Sequence, residues 1–169
     1  MKRLVMVFAV VLVLSAGSAW AQDVPKAEAF IGGSVLNIDT SGFKLTPFGW
    51  QGSVAGNVNK VFGIVGDFSG HYRNSMKAHS FLGGVQLTHR LEKTSVFAQV
   101  KAGGIHFSDP GGSDTNLQLG FGGGVDWNAN DKIAIRVIQI DWLPVHDSSG
   151  WTKGVTRAGI GIVFKGAAK

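Results

Sequence analysis

The chain has 169 residues and a formal net charge of +5 at pH 7, and charged residues make up 16% of it. It has no cysteine, which excludes disulfides and thiol chemistry, and its small, scattered positive charge argues against a nucleic-acid partner. With 25 glycines and fewer charges than the roughly 25% of a typical soluble domain, the composition disfavours a helical or soluble domain.

The first 21 residues have the pattern of a secretory signal peptide. Lys2 and Arg3 form a positively charged start, Leu4–Ala16 is an apolar run, and small residues precede a cleavage site after Ala21. The mature chain, Gln22–Lys169, has a length that suits one domain. No later segment reaches the roughly 18 apolar residues of a membrane-spanning helix, so only strands could carry this domain through a membrane.

Eight segments of the mature chain alternate between apolar and polar residues, which is the period of a β-strand. The predicted strands are Ala27–Asn37, Phe48–Asn57, Val61–Tyr72, Ser80–Arg90, Ser95–Phe107, Asn116–Trp127, Ile133–Leu143 and Thr156–Phe164. The connections between them alternate long and short, beginning with a long one. Transmembrane barrels have short periplasmic turns and longer extracellular loops, so we expect four extracellular loops and both termini on the periplasmic side.

Alternation alone does not say which face points outward, because a soluble lipocalin-type barrel has the same period with its apolar face inside. The polar face here has few charges, whereas a soluble surface carries about 25–35%. It also includes Gly120, Gly122 and Gly124, which suit a narrow lumen. We therefore predict an all-β, eight-stranded antiparallel up-and-down transmembrane β-barrel. Its predicted lumen polar network is Glu28, Gln51, Asp67, Gln86, Arg90, Gln99, Lys101, Gln118, Asp126, Gln139, Asp141 and Arg157.

Aromatic residues collect near the strand ends, where they would lie at the two membrane–water interfaces. The predicted interface set is Phe48, Tyr72, Phe107 and Trp142 on the long-loop side and Phe62, Trp127 and Phe164 on the short-turn side.

Four residues depart from the alternation. Phe30 falls on the polar phase of the first strand. Ile105 and Phe107 are out of phase with the apolar residues at the start of their strand. A β-bulge at Gly103-Gly104 would shift the alternation by one residue and account for this. Arg136 falls on the apolar phase, from which it would reach lipid headgroups.

The last predicted strand, Arg157-Ala158-Gly159-Ile160-Gly161-Ile162-Val163-Phe164, ends on an aromatic residue. With the signal peptide, the strand count and the alternating connections, this ending resembles the OmpA/OmpX-type family of small outer-membrane β-barrels. The resemblance covers Ala27–Phe164, and the tail Lys165–Lys169 departs from it, because the aromatic residue usually comes last. The resemblance implies a location in the outer membrane.

Charges inside so narrow a barrel have to be paired. Arg157 and Glu28 are plausible neighbours, because the first and last strands must meet. A closed, paired lumen predicts a structural or surface-interaction role, in envelope integrity or adhesion, without enzymatic activity, cofactor or metal. The first alternative is a small porin in which such a pair opens and closes.

Two weaker patterns remain. His146 and Ser148 resemble the His-x-Ser motif of outer-membrane lipid A deacylases, so a lipid A-modifying hydrolase is the second alternative. His71, His79 and His106 fall at long-loop strand ends and could meet around a metal, although their spacing fits rim histidines better. The expected partners are outer-membrane lipid and lipopolysaccharide, the latter through Arg73 and Lys77, and the barrel-assembly machinery during insertion. We expect a monomer that binds no nucleic acid.

Overall fold

A computed structural model describes residues 24–40 and 43–166 of the chain. The predicted signal peptide lies outside these ranges and stays a prediction. Within them no helix is long and apolar enough to cross a membrane. The strands are β1 (Ala27–Thr40), β2 (Phe43–Leu45), β3 (Phe48–Asn57), β4 (Phe62–Arg73), β5 (Met76–Arg90), β6 (Thr94–Asp109), β7 (Gly112–Asn128), β8 (Ile133–Trp142), β9 (Val145–Asp147), β10 (Gly150–Thr152) and β11 (Val155–Lys165).

Eight of these strands form a closed antiparallel barrel. β1, β3, β4, β5, β6, β7, β8 and β11 each pair with the next one in the chain. β11 then pairs with β1, from Glu28 opposite Lys165 to Ile38 opposite Val155, and this pairing closes the ring. The predicted eight-stranded up-and-down barrel is confirmed.

The outer surface of the barrel is apolar. Ile31, Ile64 and Ile160, on three different strands, are about 60% exposed, while the residues that alternate with them are mostly buried. Large apolar side chains all round a barrel are unfavourable in water, because the transfer of apolar surface from water to an apolar environment lowers the free energy. An apolar surface of this extent is typical of a membrane-facing one. The apolar face of the strands therefore points outward, as in a transmembrane barrel, and not inward, as in the lipocalin-type alternative.

The strands are longer than predicted on one side of the barrel. β4 and β5 are joined by Asn74-Ser75 alone, and β6 and β7 by Pro110-Gly111. Asn74 has a φ of 53°, a left-handed conformation that asparagine tolerates better than most residues. Two of the four expected long loops are thus tight turns on extended hairpins. The short β2 and the β9–β10 pair occupy the other two long connections.

A β-bulge lies in β8, and not at the predicted Gly103-Gly104. Val137 and Ile138 are both exposed, although they are adjacent in sequence, and the pairing of β8 with each neighbour shifts at this point. The extra residue turns the side chain of Arg136 into the lumen. The prediction that Arg136 reaches lipid headgroups from the outer face is therefore wrong. β6 pairs without a shift on both sides, so Ile105 simply points inward.

Glycine at position 122 is required by the close approach of β8. A Cβ added to Gly122 would overlap Asp141 Oδ1 and lie 2.5 Å from the carbonyl oxygen of Ile140. Gly122→Ala should therefore lower the free energy of unfolding by about 1–3 kcal/mol through overpacking. Gly33 meets no atom within 4 Å of an added Cβ, so Gly33→Ala is the matched control. Urea unfolding in lipid vesicles measures both, and an equal loss in the two variants would contradict this interpretation.

Candidate functional site

Four charged side chains meet in the middle of the lumen. Asp67 on β4 and Asp141 on β8 face Lys101 on β6 and Arg157 on β11, and all four side chains are fully buried. Two cations and two anions make this group neutral. We call it the central charge cluster.

Arg157 connects the two carboxylates of the central charge cluster. Its Nη1 and Nη2 donate to the two oxygens of Asp67 at 3.0 and 2.9 Å. Its Nε and Nη2 donate to Asp141 Oδ2 at 3.1 and 2.7 Å. Lys101 Nζ also reaches both carboxylates, at 2.9 and 3.3 Å. Charges buried this deeply persist only when they are paired and hydrogen-bonded on every side.

Neutral side chains complete the hydrogen bonding around the central charge cluster. The amides of Gln51, Gln99 and Gln139 donate to the two carboxylates at 3.0, 3.3 and 2.8 Å. Ser69 Oγ accepts from Arg157 at 2.9 Å. Five of the eight barrel strands, β3, β4, β6, β8 and β11, are thereby cross-linked through the lumen.

The expected pairing of Arg157 with Glu28 is wrong. Glu28 instead accepts from Arg90 Nη2 at 3.2 Å, near the short-turn end of the barrel. Glu28 lies opposite Lys165 in the register, while Arg157 lies opposite Leu36, eight residues further along β1. The two residues occupy adjacent strands at different heights.

Arg136 fills the lumen between the central charge cluster and the short-turn end. It donates two hydrogen bonds to Asp126, at 2.8 and 3.0 Å, and one to Gln139 at 2.7 Å. The rings of Phe30 and Phe97 lie 4.4 and 4.1 Å from its guanidinium carbon, a cation–π geometry. Phe30 is thus an apolar residue at an inward, polar-phase position of β1, where its ring covers this arginine.

The other end of the lumen is filled by apolar side chains, which the sequence analysis did not predict. The buried members of this apolar cluster are Leu36, Ile38, Ala78, Leu82, Ile105, Leu143, Val145 and Val155. Phe107 packs against them, so its predicted interface position is wrong. On the outer face at this height lie polar residues such as Lys77 and Thr115. The inside–outside pattern of the membrane segment is thus reversed here, as in a soluble barrel.

The remaining predicted lumen residues also lie inside the barrel. Gln86 donates to Thr88 Oγ1 at 3.1 Å. Gln118 is fully buried, and neither polar atom of its amide has a hydrogen-bond partner among the described residues. At the short-turn mouth, Arg90, Ser95, Asn128 and Lys165 help to line a cavity of about 440 Å³.

The predicted interface aromatics other than Phe107 lie on the outer face. Phe48, Tyr72, Trp127, Trp142 and Phe164 are 42–69% exposed, and Phe62 is half-buried. Phe48 and Tyr72 are opposite each other at the long-connection end. The same girdle includes Trp50, whose Nε1 donates to the Tyr72 hydroxyl at 3.4 Å.

The three histidines predicted at the rim do not converge. His71 is buried inside the barrel, where its Nε2 lies 2.8 Å from Ser34 Oγ, whereas His79 and His106 alternate with inward residues and face outward. Among residues 24–40 and 43–166, no three His, Cys, Asp or Glu side chains are placed to hold a metal ion together.

The hydrolase motif is not assembled as a catalytic site. The ring of His146 packs edge-on against Trp151 at 4.9 Å. Asp147 accepts hydrogen bonds from the hydroxyl and amide of Ser149, which hold the pKa of its carboxyl below the ordinary value. No hydrogen bond joins His146 to Ser148 in the part of the chain that the structure describes, so the two are not paired there as base and nucleophile.

These features define an eight-stranded transmembrane barrel with a filled lumen, the fold of small outer-membrane barrels. No protein-family model matches the chain, and no curated protein matches it in sequence. Its similarity to known proteins lies in the fold.

Three crystal structures illustrate this similarity. Neisserial surface protein A (NspA) has a TM-score of 0.69 at 14% identity, with 83% of this chain and 97% of that one covered. Ail, the attachment invasion locus protein of Yersinia pestis, in complex with the heparin analogue sucrose octasulfate, has a TM-score of 0.58 at 19% identity, covering 83% and 98%. The N-terminal β-barrel domain of Pseudomonas aeruginosa OprF has a TM-score of 0.55 at 11% identity, covering 85% and 98%.

Proposed function

We propose that this protein is a closed outer-membrane barrel with a structural or surface-interaction role, in envelope integrity or adhesion. The observation that carries the proposal is the filling of the lumen. The central charge cluster and the apolar cluster occupy successive levels of the barrel, and an interior of eight strands is just wide enough to be filled by side chains. A filled lumen favours this role over the small-porin alternative.

The location in a Gram-negative outer membrane is supported by three observations. The outer surface is apolar, aromatic residues lie near both ends of the strands, and the structural neighbours are outer-membrane barrels. The predicted signal peptide would supply the export route. We propose further that the barrel-assembly machinery inserts the chain. The inserted protein would work as a monomer without enzymatic activity.

The long-connection end would contact lipopolysaccharide. Arg73 lies at the end of β4 and donates to the carbonyl oxygen of Thr46 at 3.0 Å, which holds it against the neighbouring connection. Lys77 is exposed on the outer face of β5. Both are available to phosphate oxygens, which cations recognise by charge-assisted hydrogen bonds.

Removal of these two cations tests the surface interaction. Lipopolysaccharide added to vesicles should stabilise the native protein, and Arg73→Gln with Lys77→Gln should reduce that gain by about 1 kcal/mol per cation. Urea unfolding with and without lipopolysaccharide measures the difference. Lys60→Gln and Lys93→Gln, in short turns at the opposite end, form the matched control. An unchanged gain in the first variant would contradict the proposed contact.

A further inference from the structure

The cavity at the short-turn mouth of the barrel has two cationic side chains in its wall. Arg90 of β5 and Lys165 of β11 both line it, together with Ser95 and Asn128. Its volume of about 440 Å³ lies within the range of small-molecule sites, roughly 300–1,000 Å³. Lys165 follows the outward-facing Phe164 in β11, so its side chain is on the lumen side of the strand. The cavity is therefore open to solutes at this mouth and not to lipid.

The positive charge of Lys165 is not matched by a neighbouring carboxylate. From the central charge cluster to the short-turn mouth, Lys165 is the one lumen-facing charged side chain of the described residues without an ion pair. Glu28, its register partner on β1, is engaged by Arg90, and Asp126 has an ion pair of its own. The Nζ of Lys165 donates instead to the neutral Oδ1 of Asn128 at 2.6 Å. Because a partly buried charge is stable only when it is compensated, this wall favours an anion.

The two cations have hydrogen-bond donors to spare. Arg90 donates from Nη1 to the carbonyl oxygen of Lys60 and from Nη2 to Glu28, and Lys165 makes one side-chain hydrogen bond among the described residues. A guanidinium and an ammonium each carry further N–H groups. Cations with unused donors in one wall suit a carboxylate, which accepts charge-assisted hydrogen bonds on both oxygens.

The rim of the same cavity has the opposite charge. Glu92, in the turn between β5 and β6, and Asp131, in the turn between β7 and β8, both line it and are exposed. Leu91 lines it as well and is 50% exposed, which adds an apolar contact. Complementary charges determine which ligand an interface accepts. A cationic wall and an acidic rim therefore select a ligand that has both a carboxylate and an ammonium group.

We infer that this cavity binds a short zwitterionic peptide, with its carboxylate on Lys165 and Arg90 and its ammonium group at the rim near Glu92 and Asp131. Inorganic phosphate would satisfy the wall but would be repelled by the acidic rim, so it should bind less tightly. Only the compartment of the ligand, the periplasm, rests on the proposed function. Peptide binding at the mouth does not depend on whether the lumen conducts, so the two proposals can fail separately.

NMR titration of the refolded protein with trialanine, in uncharged maltoside micelles, tests the site. We expect one trialanine per chain. Lys165→Gln should weaken binding about tenfold or more, because it removes a charge-assisted hydrogen bond, and Lys165→Arg should retain it. Glu92→Gln with Asp131→Asn should weaken it about threefold, since exposed charges contribute less. Lys132→Gln is the matched control, because Lys132 is exposed in the same turn as Asp131 but does not line the cavity.

Modified ligands test the two charges of the peptide separately. Trialanine amide, which lacks the carboxylate, should bind about tenfold more weakly than trialanine. N-acetyl-trialanine, which lacks the ammonium group, should respond to Lys165→Gln but not to the change of Glu92 and Asp131. Removal of residues 167–169, which follow the cavity-lining Gly166, should leave the affinity unchanged.

The NMR spectra establish that each variant is folded before its affinity is compared. Equal affinity of the native protein and Lys165→Gln for trialanine would overturn the proposal, as would equal affinity for trialanine and its amide. Tighter binding of inorganic phosphate would overturn the peptide as the ligand. Loss of binding in Lys132→Gln would indicate a non-specific charge effect, and a large gain on removal of residues 167–169 would assign the cavity to that segment. Either result would overturn the proposal as well.

Discussion

Asp67→Asn should lower the free energy of unfolding by about 3–5 kcal/mol, the usual cost of removing one partner of a buried ion pair. The carboxylate of Asp67 accepts hydrogen bonds from Arg157, Lys101 and Gln51. Its replacement by a neutral amide leaves two buried cations with one anion. Urea unfolding of the protein in phospholipid vesicles measures the loss.

Two further variants separate charge from packing in this result. Asp39→Asn removes an exposed carboxylate that lies 3.8 Å from Lys44, and such a pair contributes at most about 1 kcal/mol. Lys101→Met added to Asp67→Asn makes the central charge cluster neutral again, so the double variant should be more stable than Asp67→Asn alone. Independent, additive losses in the double variant would contradict the central charge cluster as an interacting unit.

Val100→Arg should destabilise the barrel by about 2–4 kcal/mol, because it places a charge on the lipid-facing surface near the middle of the membrane. Val100 is 49% exposed and lies between Val85 and Phe121 on the outer face of the barrel. In a water-exposed surface the same substitution would have little effect. The free energy of unfolding in vesicles therefore reports which solvent this face meets.

Val58→Arg is the matched control for the lipid-facing substitution. Val58 is 64% exposed, more than Val100, but it lies in the short turn between β3 and β4. Its replacement should cost about 0–1 kcal/mol, as expected near the membrane interface. Equal tolerance of arginine at both positions would contradict the membrane orientation of the barrel.

The sequence predicts the strands well because lipid and a narrow lumen impose a strict period of two. β3 has the predicted bounds, Phe48–Asn57, and the other barrel strands were located with errors mainly at their ends. The error is largest in β5 and β7, which extend beyond the membrane. At this end of the barrel apolar residues face inward, as Ile105 and Phe107 of the neighbouring β6 do. The pattern of apolar residues outside and polar residues inside, which holds in the membrane segment, no longer applies.

The partners inside the lumen could not be predicted from the sequence. Asp67 and Arg157 are 90 residues apart, and their meeting depends on the tilt and stagger of the strands. The bulge at Val137 and Ile138 has no glycine to mark it. A single extra residue there reverses the direction of Arg136 and so changes its partner from a lipid headgroup to Asp126.

For the polar lumen residues, the sequence thus indicates the inward face of the strand but not the side chains that they contact there. Glu28 and Arg157 illustrate this, since each forms an ion pair inside the barrel, Glu28 with Arg90 and Arg157 with Asp67 and Asp141. Alternation determines which face a side chain occupies, whereas its height in the barrel comes from the register.

Single-channel recording of the refolded mature protein in a planar bilayer tests the closed lumen most directly. With insertion established by protection of the membrane segments from protease, we expect no stepwise current above that of the bare bilayer. The central charge cluster and the apolar cluster fill successive levels of the lumen with side chains, which is the basis of this expectation. Stable, stepwise current from the inserted protein would contradict the closed barrel and would favour a small porin.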